Sequence, residues 1–174
     1  MPEVTADATL LIATSWQALG RIETGDERTM ITNCTVVIVF AGFFIEANLN
    51  HIIDVMGKAA DVNEFAGTTH PGLGAKLAWF YDAHIATEKA SDKDQAYAAV
   101  REQFPEFEEI QEFRNKVSHG EVDRATANVE DAKRLRAAAK GIVDRLILAV
   151  NEAGCHIEKG TTYNMAIASN DLTD

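Results

Sequence analysis

Proline is scarce in this chain of 174 residues, where it occurs only as Pro2, Pro71 and Pro105. Cysteine is scarcer still, and Cys34 and Cys155 are too far apart for a CxxC motif or for metal-ligand spacing. We therefore expect two free thiols in a reducing cytosol, because disulfides are rare in that compartment. The N-terminus lacks the basic start of a secretory signal, which also favours a cytoplasmic location.

The sequence also lacks the motifs of the common enzyme classes. It contains no paired-carboxylate motif, P-loop, GxGxxG, HExxH or GxSxG pattern, and no zinc-knuckle spacing. The histidines have no partner spacing that indicates a metal site. We therefore expect neither a metal ion nor a cofactor.

Basic residues are few relative to acidic ones, 16 against 27, so the net charge is −11. This balance argues against a protein that coats nucleic acid or an anionic membrane by bulk electrostatics. The charge is uneven, however, since residues 1–113 sum to −11 whereas residues 114–145 sum to +3. An anionic ligand is therefore expected near residues 114–145, although a charge-balanced helix face would give a similar count.

Long hydrophobic runs are limited to one stretch, Cys34 to Ile45, which Glu46 closes. This stretch is shorter than the ~20 apolar residues that a membrane-spanning helix needs. Burial of a helix inside the protein explains it better, and no membrane partner is expected.

Apolar residues recur at helical spacing through most of the chain, which predicts an all-α fold. We expect one domain over residues 1–174, built as a compact antiparallel bundle of four to six helices, with its core at about 5–153 and a tail at 154–174. The strongest helical patterns cover residues 5–22, 26–57, 105–120 and 128–154, and shorter ones cover 58–66, 77–85 and 96–104, with a loop over 67–74.

The two C-terminal helices have the clearest start signals. Pro105 suits a first helical turn, and Asn128 is a good N-cap residue. Glycines at the ends of three predicted helices, Gly57, Gly120 and Gly154, act as stop signals. The core face of the last helix is predicted to consist of Leu135, Ala139, Ile142, Leu146 and Val150.

One segment combines residues suited to chemistry, FRNKVSHGEV at 113–122. Asn115 and His119 are four residues apart and share a helix face, so the amide is able to orient the imidazole. Arg114 lies about 140° around a regular helix from His119. The two side chains therefore diverge, unless the helix loosens before Gly120 or a second subunit brings its own copy alongside.

An arginine and a histidine together suit phosphodiester cleavage. An imidazole transfers protons near neutral pH, and a fixed guanidinium stabilises charge that develops on phosphate oxygens. On the residues alone, the alternative is a solvated histidine beside an arginine that only makes salt bridges.

The segment Arg114-Asn115-Lys116-Val117-Ser118-His119 closely resembles the R-x4-6-H signature of HEPN domains. The upstream segment FPEFEEI at 104–110, the long apolar helix that bears Phe43-Phe44-Ile45-Glu46, and the closing helix from Asn128 resemble the bundle elements around that signature. The likeness covers most of residues 30–153, and its specific part is the Arg-to-His motif.

The resemblance implies a helical bundle that forms a homodimer, with the motifs of both subunits at a shared cleft, and a metal-independent endoribonuclease activity on RNA. It implies that His119 activates the ribose 2′-hydroxyl, that Arg114 stabilises the phosphorane and that Asn115 orients the site. The expected product is a 2′,3′-cyclic phosphate. A toxin or defence role, with an antitoxin protein as partner, is a further expectation.

Two sets of polar residues complete the candidate site, each with an ordinary alternative. Three basic residues are expected either to hold the RNA backbone or to be ordinary solvated charges: Lys116, Arg124 and Arg134. Three polar residues of the long helix are expected either to face the cleft or to form a solvent-facing stripe: Glu46, Asn50 and Asp54.

A function of another class also fits the sequence. A non-catalytic HEPN bundle, acting in protein interaction or nucleotide sensing, would suit the acidic net charge.

Overall fold

A computed structural model describes residues 17–18, 27–119, 128–155 and 157. These ranges contain helices and no strand, which confirms the all-α prediction. The helices are α1 (Glu27–Val55), α2 (Ala59–Ala66), α3 (Leu73–His84), α4 (Lys93–Gln103), α5 (Pro105–Ser118) and α6 (Val129–Glu152).

Helix α1 packs mainly along α6 and also contacts α5 and α3. Its buried side includes Cys34, Val37, Ile38, Ala41, Phe44, Ile45, Leu49 and Ile52. Its other side is only half-buried among the described residues and includes Val36, Val39, Phe40 and Phe43. The middle of α1 is apolar all round, but the neighbouring helices that the structure describes bury one of its faces more completely than the other.

The apolar character of α1 extends past Glu46. The part of the helix from Met30 to Val55 is long and apolar enough to cross a membrane by those two criteria alone, and core helices inside proteins meet them as well. The prediction that Glu46 ends the apolar stretch before it is long enough to span a membrane was therefore wrong. Leu49, Ile52 and Ile53 continue the apolar pattern beyond Glu46.

Helix α6 follows its predicted pattern closely. The Asn128 side-chain oxygen accepts a hydrogen bond from the Asp131 N–H at 2.8 Å, which satisfies one of the free donors of the first turn. Gly154 follows the helix with a φ of +86°, a conformation that glycine adopts without steric cost. All five residues of the predicted core face are buried: Leu135, Ala139, Ile142, Leu146 and Val150.

In the middle of the chain, two helices begin earlier than predicted. Helix α3 begins at Leu73 rather than near residue 77, so the loop covers 67–72 instead of 67–74. Leu73 and the next two residues are buried, and this packing extends the helix into the glycine-rich segment. Helix α4 is also longer than predicted, because Asp92 caps it by accepting from the Gln95 N–H at 2.9 Å.

Some predictions fall mainly outside the described residues. Of the first predicted helix, over 5–22, only Gln17 and Ala18 are described; both are helical, and Ala18 is buried in the core. Of the predicted tail, over 154–174, Gly154, Cys155 and Ile157 are described, and the last two are half-buried against the core.

Helix α3 ends with a histidine in an apolar setting. The His84 ring centre lies 5.5 Å from that of Trp79 and 4.9 Å from that of Phe80. Its Nε2 atom is buried and has no hydrogen-bond partner within the described ranges. Burial, and then the positive charges of Lys89 and Lys58, lower the pKa of His84 below its ordinary value.

This environment predicts a loss of stability in mild acid. The unfolded chain takes up a proton on His84 as the pH falls below about 6.5, whereas the folded chain takes it up only at a lower pH. The free energy of unfolding should therefore fall across this window, and urea titrations from about pH 7 to pH 5 would measure it. The variant His84→Phe should show a shallower decline, whereas His51→Gln, at an exposed position, should decline as the parent does. Equal slopes for the parent and His84→Phe would contradict the prediction.

Candidate functional site

Arg114 faces α1 and is held there by a carboxylate and an aromatic ring. Its Nη2 atom lies 2.7 Å from Glu46 Oε2, and its guanidinium carbon lies 4.7 Å from the centre of the Phe43 ring. The Arg114 and Glu46 side chains are only 21% and 23% exposed, so salt screens their interaction less than it screens a surface pair. The ion pair and the cation–π contact together restrict the position of the guanidinium.

A glycine on α1 makes room for this arrangement. A Cβ atom at Gly42 would lie 3.2 Å from Cδ of Arg114 and 3.3 Å from Cγ2 of Ile110. These separations are tighter than ordinary van der Waals contact. The aliphatic part of Arg114 therefore lies close to the α1 backbone because residue 42 carries no side chain.

Glu46 also contacts a second cation, Lys76 on α3. Lys76 Nζ lies 3.5 Å from Glu46 Oε1, and the lysine side chain is 16% exposed. One carboxylate thus lies between two cations, and the three groups carry a formal charge of +1. We call Arg114, Glu46 and Lys76 the cationic cluster.

Lys76 was missed by the sequence analysis. It belongs to no motif, and the available signal was a lone lysine within the mainly apolar helix LGAKLAWFYDAH. Its role depends on the packing of α3 beside α1, which no local pattern encodes.

His119 lies at the C-terminal end of α5 and is exposed. Its backbone N–H donates to the Asn115 carbonyl at 3.0 Å, so the helical hydrogen-bond pattern continues to His119. Asn115 is also exposed, and within the described ranges its amide makes no hydrogen bond to the His119 ring. The link between these two residues is therefore through the backbone.

The regular course of α5 separates Arg114 from His119. Five residues correspond to about 7.5 Å along a helix axis and about 140° around it. Arg114 points to α1, whereas His119 is exposed at the helix end. Loosening of the helix, one of the two routes by which they could converge, is not observed as far as His119, whose N–H still donates to the Asn115 carbonyl.

Arg134 ties α6 to α5. Its guanidinium donates to both carboxylate oxygens of Glu109, at 3.0 Å and 2.6 Å, and to Asp131 at 3.1 Å. The hydrogen bonds that the guanidinium donates to Glu109, and then the one that it donates to Asp131, raise the pKa of Arg134. Two carboxylates already compensate this cation, which argues against a role in holding RNA.

The remaining predicted residues are Lys116, Arg124, Asn50 and Asp54. Lys116 is exposed, with its Nζ atom 3.9 Å from Glu112 Oε2. Arg124 lies outside the described residues. Asn50 and Asp54 are exposed on α1 and line a cavity that Lys76 also lines. The described residues contain no group of three or more His, Cys, Asp or Glu arranged to hold a metal ion.

The chemistry open to this region is anion binding by the cationic cluster. The cationic cluster is positive in a protein of net charge −11, and α5 links it to an exposed imidazole. No protein-family model, curated protein or solved structure matches this chain.

Proposed function

We propose that this protein is a metal-independent endoribonuclease of HEPN type that acts as a homodimer in the cytoplasm, as a toxin or defence effector restrained by an antitoxin protein. The observation that carries the proposal is the cationic cluster, whose Arg114 lies on the helix that His119 follows. A phosphodiester carries negative charge, and a half-buried guanidinium binds phosphate oxygens more strongly than a fully solvated one.

The proposed reaction needs only proton transfers and charge stabilisation. His119 removes the proton from the ribose 2′-hydroxyl, whose oxygen attacks the adjacent phosphorus. Arg114 stabilises the negative charge of the phosphorane. The bond from phosphorus to the 5′ oxygen breaks, and that oxygen receives a proton. The products are a 2′,3′-cyclic phosphate and a 5′-hydroxyl end.

The divergence of Arg114 and His119 supports a homodimer. One scissile phosphate does not reach both groups of a single helix easily, since they are about 7.5 Å apart along its axis and point in different directions. A second copy facing the first supplies the missing group.

The test is incubation of purified protein with mixed cellular RNA in excess EDTA. We expect cleavage that leaves 2′,3′-cyclic phosphate ends, and a loss of about 10²- to 10³-fold in Arg114→Ala, because a single preorganised charge-stabilising group contributes that much. Arg101→Ala is the matched control, since Arg101 is an exposed arginine of α4 that pairs with Glu108. Cleavage that stops in EDTA, or products with 5′-phosphate ends, would contradict the mechanism.

The alternative is a non-catalytic HEPN module for protein interaction or nucleotide sensing. The observation that favours it is that Glu46 and Phe43 already engage Arg114, as they would a purely structural arginine. Under this reading, Arg114→Ala lowers the free energy of unfolding, and the parent cleaves no RNA.

A further inference from the structure

A cavity of about 410 Å³ lies beside the cationic cluster, between the end of α1, helix α2 and the loop before α3. Its lining includes Ile53 and Val62, which are buried apolar side chains. Its polar lining includes Asn50, Asp54 and Asn63. An apolar lining with a few polar groups is the usual composition of a small-ligand site.

Three polar side chains of this cavity are available to a ligand. Within the described ranges, the side chains of Asn50, Asp54 and Asn63 make no hydrogen bond or ion pair. An asparagine amide both donates and accepts, whereas an ionised aspartate only accepts. Proteins read the edges of unstacked bases with these groups, while apolar side chains contact the base faces.

Lys76 connects the cavity to Arg114. It lines the cavity, and its Nζ atom lies 3.5 Å from Glu46 Oε1, while the other oxygen of Glu46 lies 2.7 Å from Arg114. A phosphate attached to a ligand in the cavity therefore has an ammonium group beside it and a guanidinium on the far side of the same carboxylate.

We propose that this cavity binds the base and ribose of one ribonucleotide, with its phosphate at Lys76. The assignment rests on the proposed ribonuclease function and supplies its substrate subsite. Because an ionised Asp54 only accepts hydrogen bonds, the cavity favours adenine, guanine or cytosine, which offer it an exocyclic amino group, over uracil, whose single base donor is the ring N3–H. The nucleotide comes either from an RNA strand or from the free pool.

The first measurement is titration of the parent protein with AMP, GMP, CMP and UMP by calorimetry. We expect UMP to bind most weakly, and Asn63→Ala to weaken binding of the preferred nucleotide about 3- to 10-fold, the effect of losing a typical hydrogen bond. Asp54→Asn should reduce the preference against UMP, which provides a second readout at an exposed position. Glu64→Gln is the control, since Glu64 is exposed on α2 beside Asn63 but does not line the cavity.

A short 2′-O-methyl RNA, which cannot be cleaved by 2′-hydroxyl attack, distinguishes the two sources. If it competes with the mononucleotide and responds equally to Asn63→Ala, the cavity serves an RNA strand; if only the mononucleotide binds, the cavity serves a free nucleotide. The assignment would be overturned if none of the four nucleotides and no RNA bound at about 1 mM. It would also be overturned if Asn63→Ala and Asp54→Asn bound nucleotide as the parent does.

Failure of this inference is distinguishable from failure of the proposed function. If nucleotide binding depends on Asn63 but the protein cleaves no RNA, the cavity assignment is supported and the proposed ribonuclease function is contradicted. If the protein cleaves RNA in EDTA but Asn63→Ala and Asp54→Asn bind nucleotide as the parent does, only the cavity assignment is contradicted.

Discussion

Replacing His119 with alanine is expected to lower the rate of RNA cleavage by about 10²- to 10⁴-fold, because a positioned general acid–base group contributes that much. The imidazole is exposed at the end of α5, and only its backbone N–H completes the helix. The substitution should therefore leave the helical circular dichroism signal and the melting temperature nearly unchanged. Initial rates on one RNA substrate in EDTA measure the effect.

The control for this variant is His51→Ala, an exposed histidine on α1. It should cleave at the parent rate. If His119→Ala also cleaves at the parent rate while folding normally, the proposed base is wrong. If both variants lose activity, the loss is not specific to His119.

The proposed homodimer allows a second test of the role of His119. Mixing His119→Ala with Arg114→Ala under conditions that exchange subunits should restore part of the cleavage, because each mixed dimer retains one intact arginine and one intact histidine on opposite copies. No recovery in mixed dimers of verified composition would argue against a site shared between subunits.

Replacing Leu146 with alanine should lower the free energy of unfolding by about 2–5 kcal/mol, the usual cost of truncating a buried leucine. Leu146 is 0% exposed on α6, the helix that packs most extensively against α1. The surrounding core side chains would face the resulting void. Urea denaturation monitored by circular dichroism gives the value directly.

Leu148→Ala is the matched control, because Leu148 lies on the same helix and is 57% exposed. Its effect should stay within about 0.5 kcal/mol of the parent. Similar effects of the two variants would contradict the burial of the α6 face. Below its melting transition, Leu146→Ala should still cleave RNA, since neither the cationic cluster nor His119 includes this residue.

Much of the helical framework was readable from the sequence because the forces that form it are local. In α6, the Asn128 cap, the five apolar core positions and the Gly154 stop all act within a few residues of one another. A cap needs one side chain three residues from a free N–H, and an amphipathic face needs only the 3.6-residue period. The structure confirms each of these features.

Helix α3 shows where local signals fail. Its first residues follow a segment dense in glycine, which favours a loop, yet Leu73 is buried in the core and the helix begins there. Tertiary burial outweighs a weak local propensity in such a segment. The same applies to α1, whose apolar sequence does not reveal which face the other helices cover.

The candidate site divides in the same way. The sequence by itself determined that an arginine and a histidine lie five positions apart near the end of an amphipathic helix, because helix geometry fixes their relative direction. Only the tertiary structure decided that Arg114 bonds to Glu46, that Lys76 shares this carboxylate and that Asn63 lies at the same cavity as Asp54. These residues come from different helices, and their proximity follows from how the helices pack, which no short-range spacing along the chain encodes.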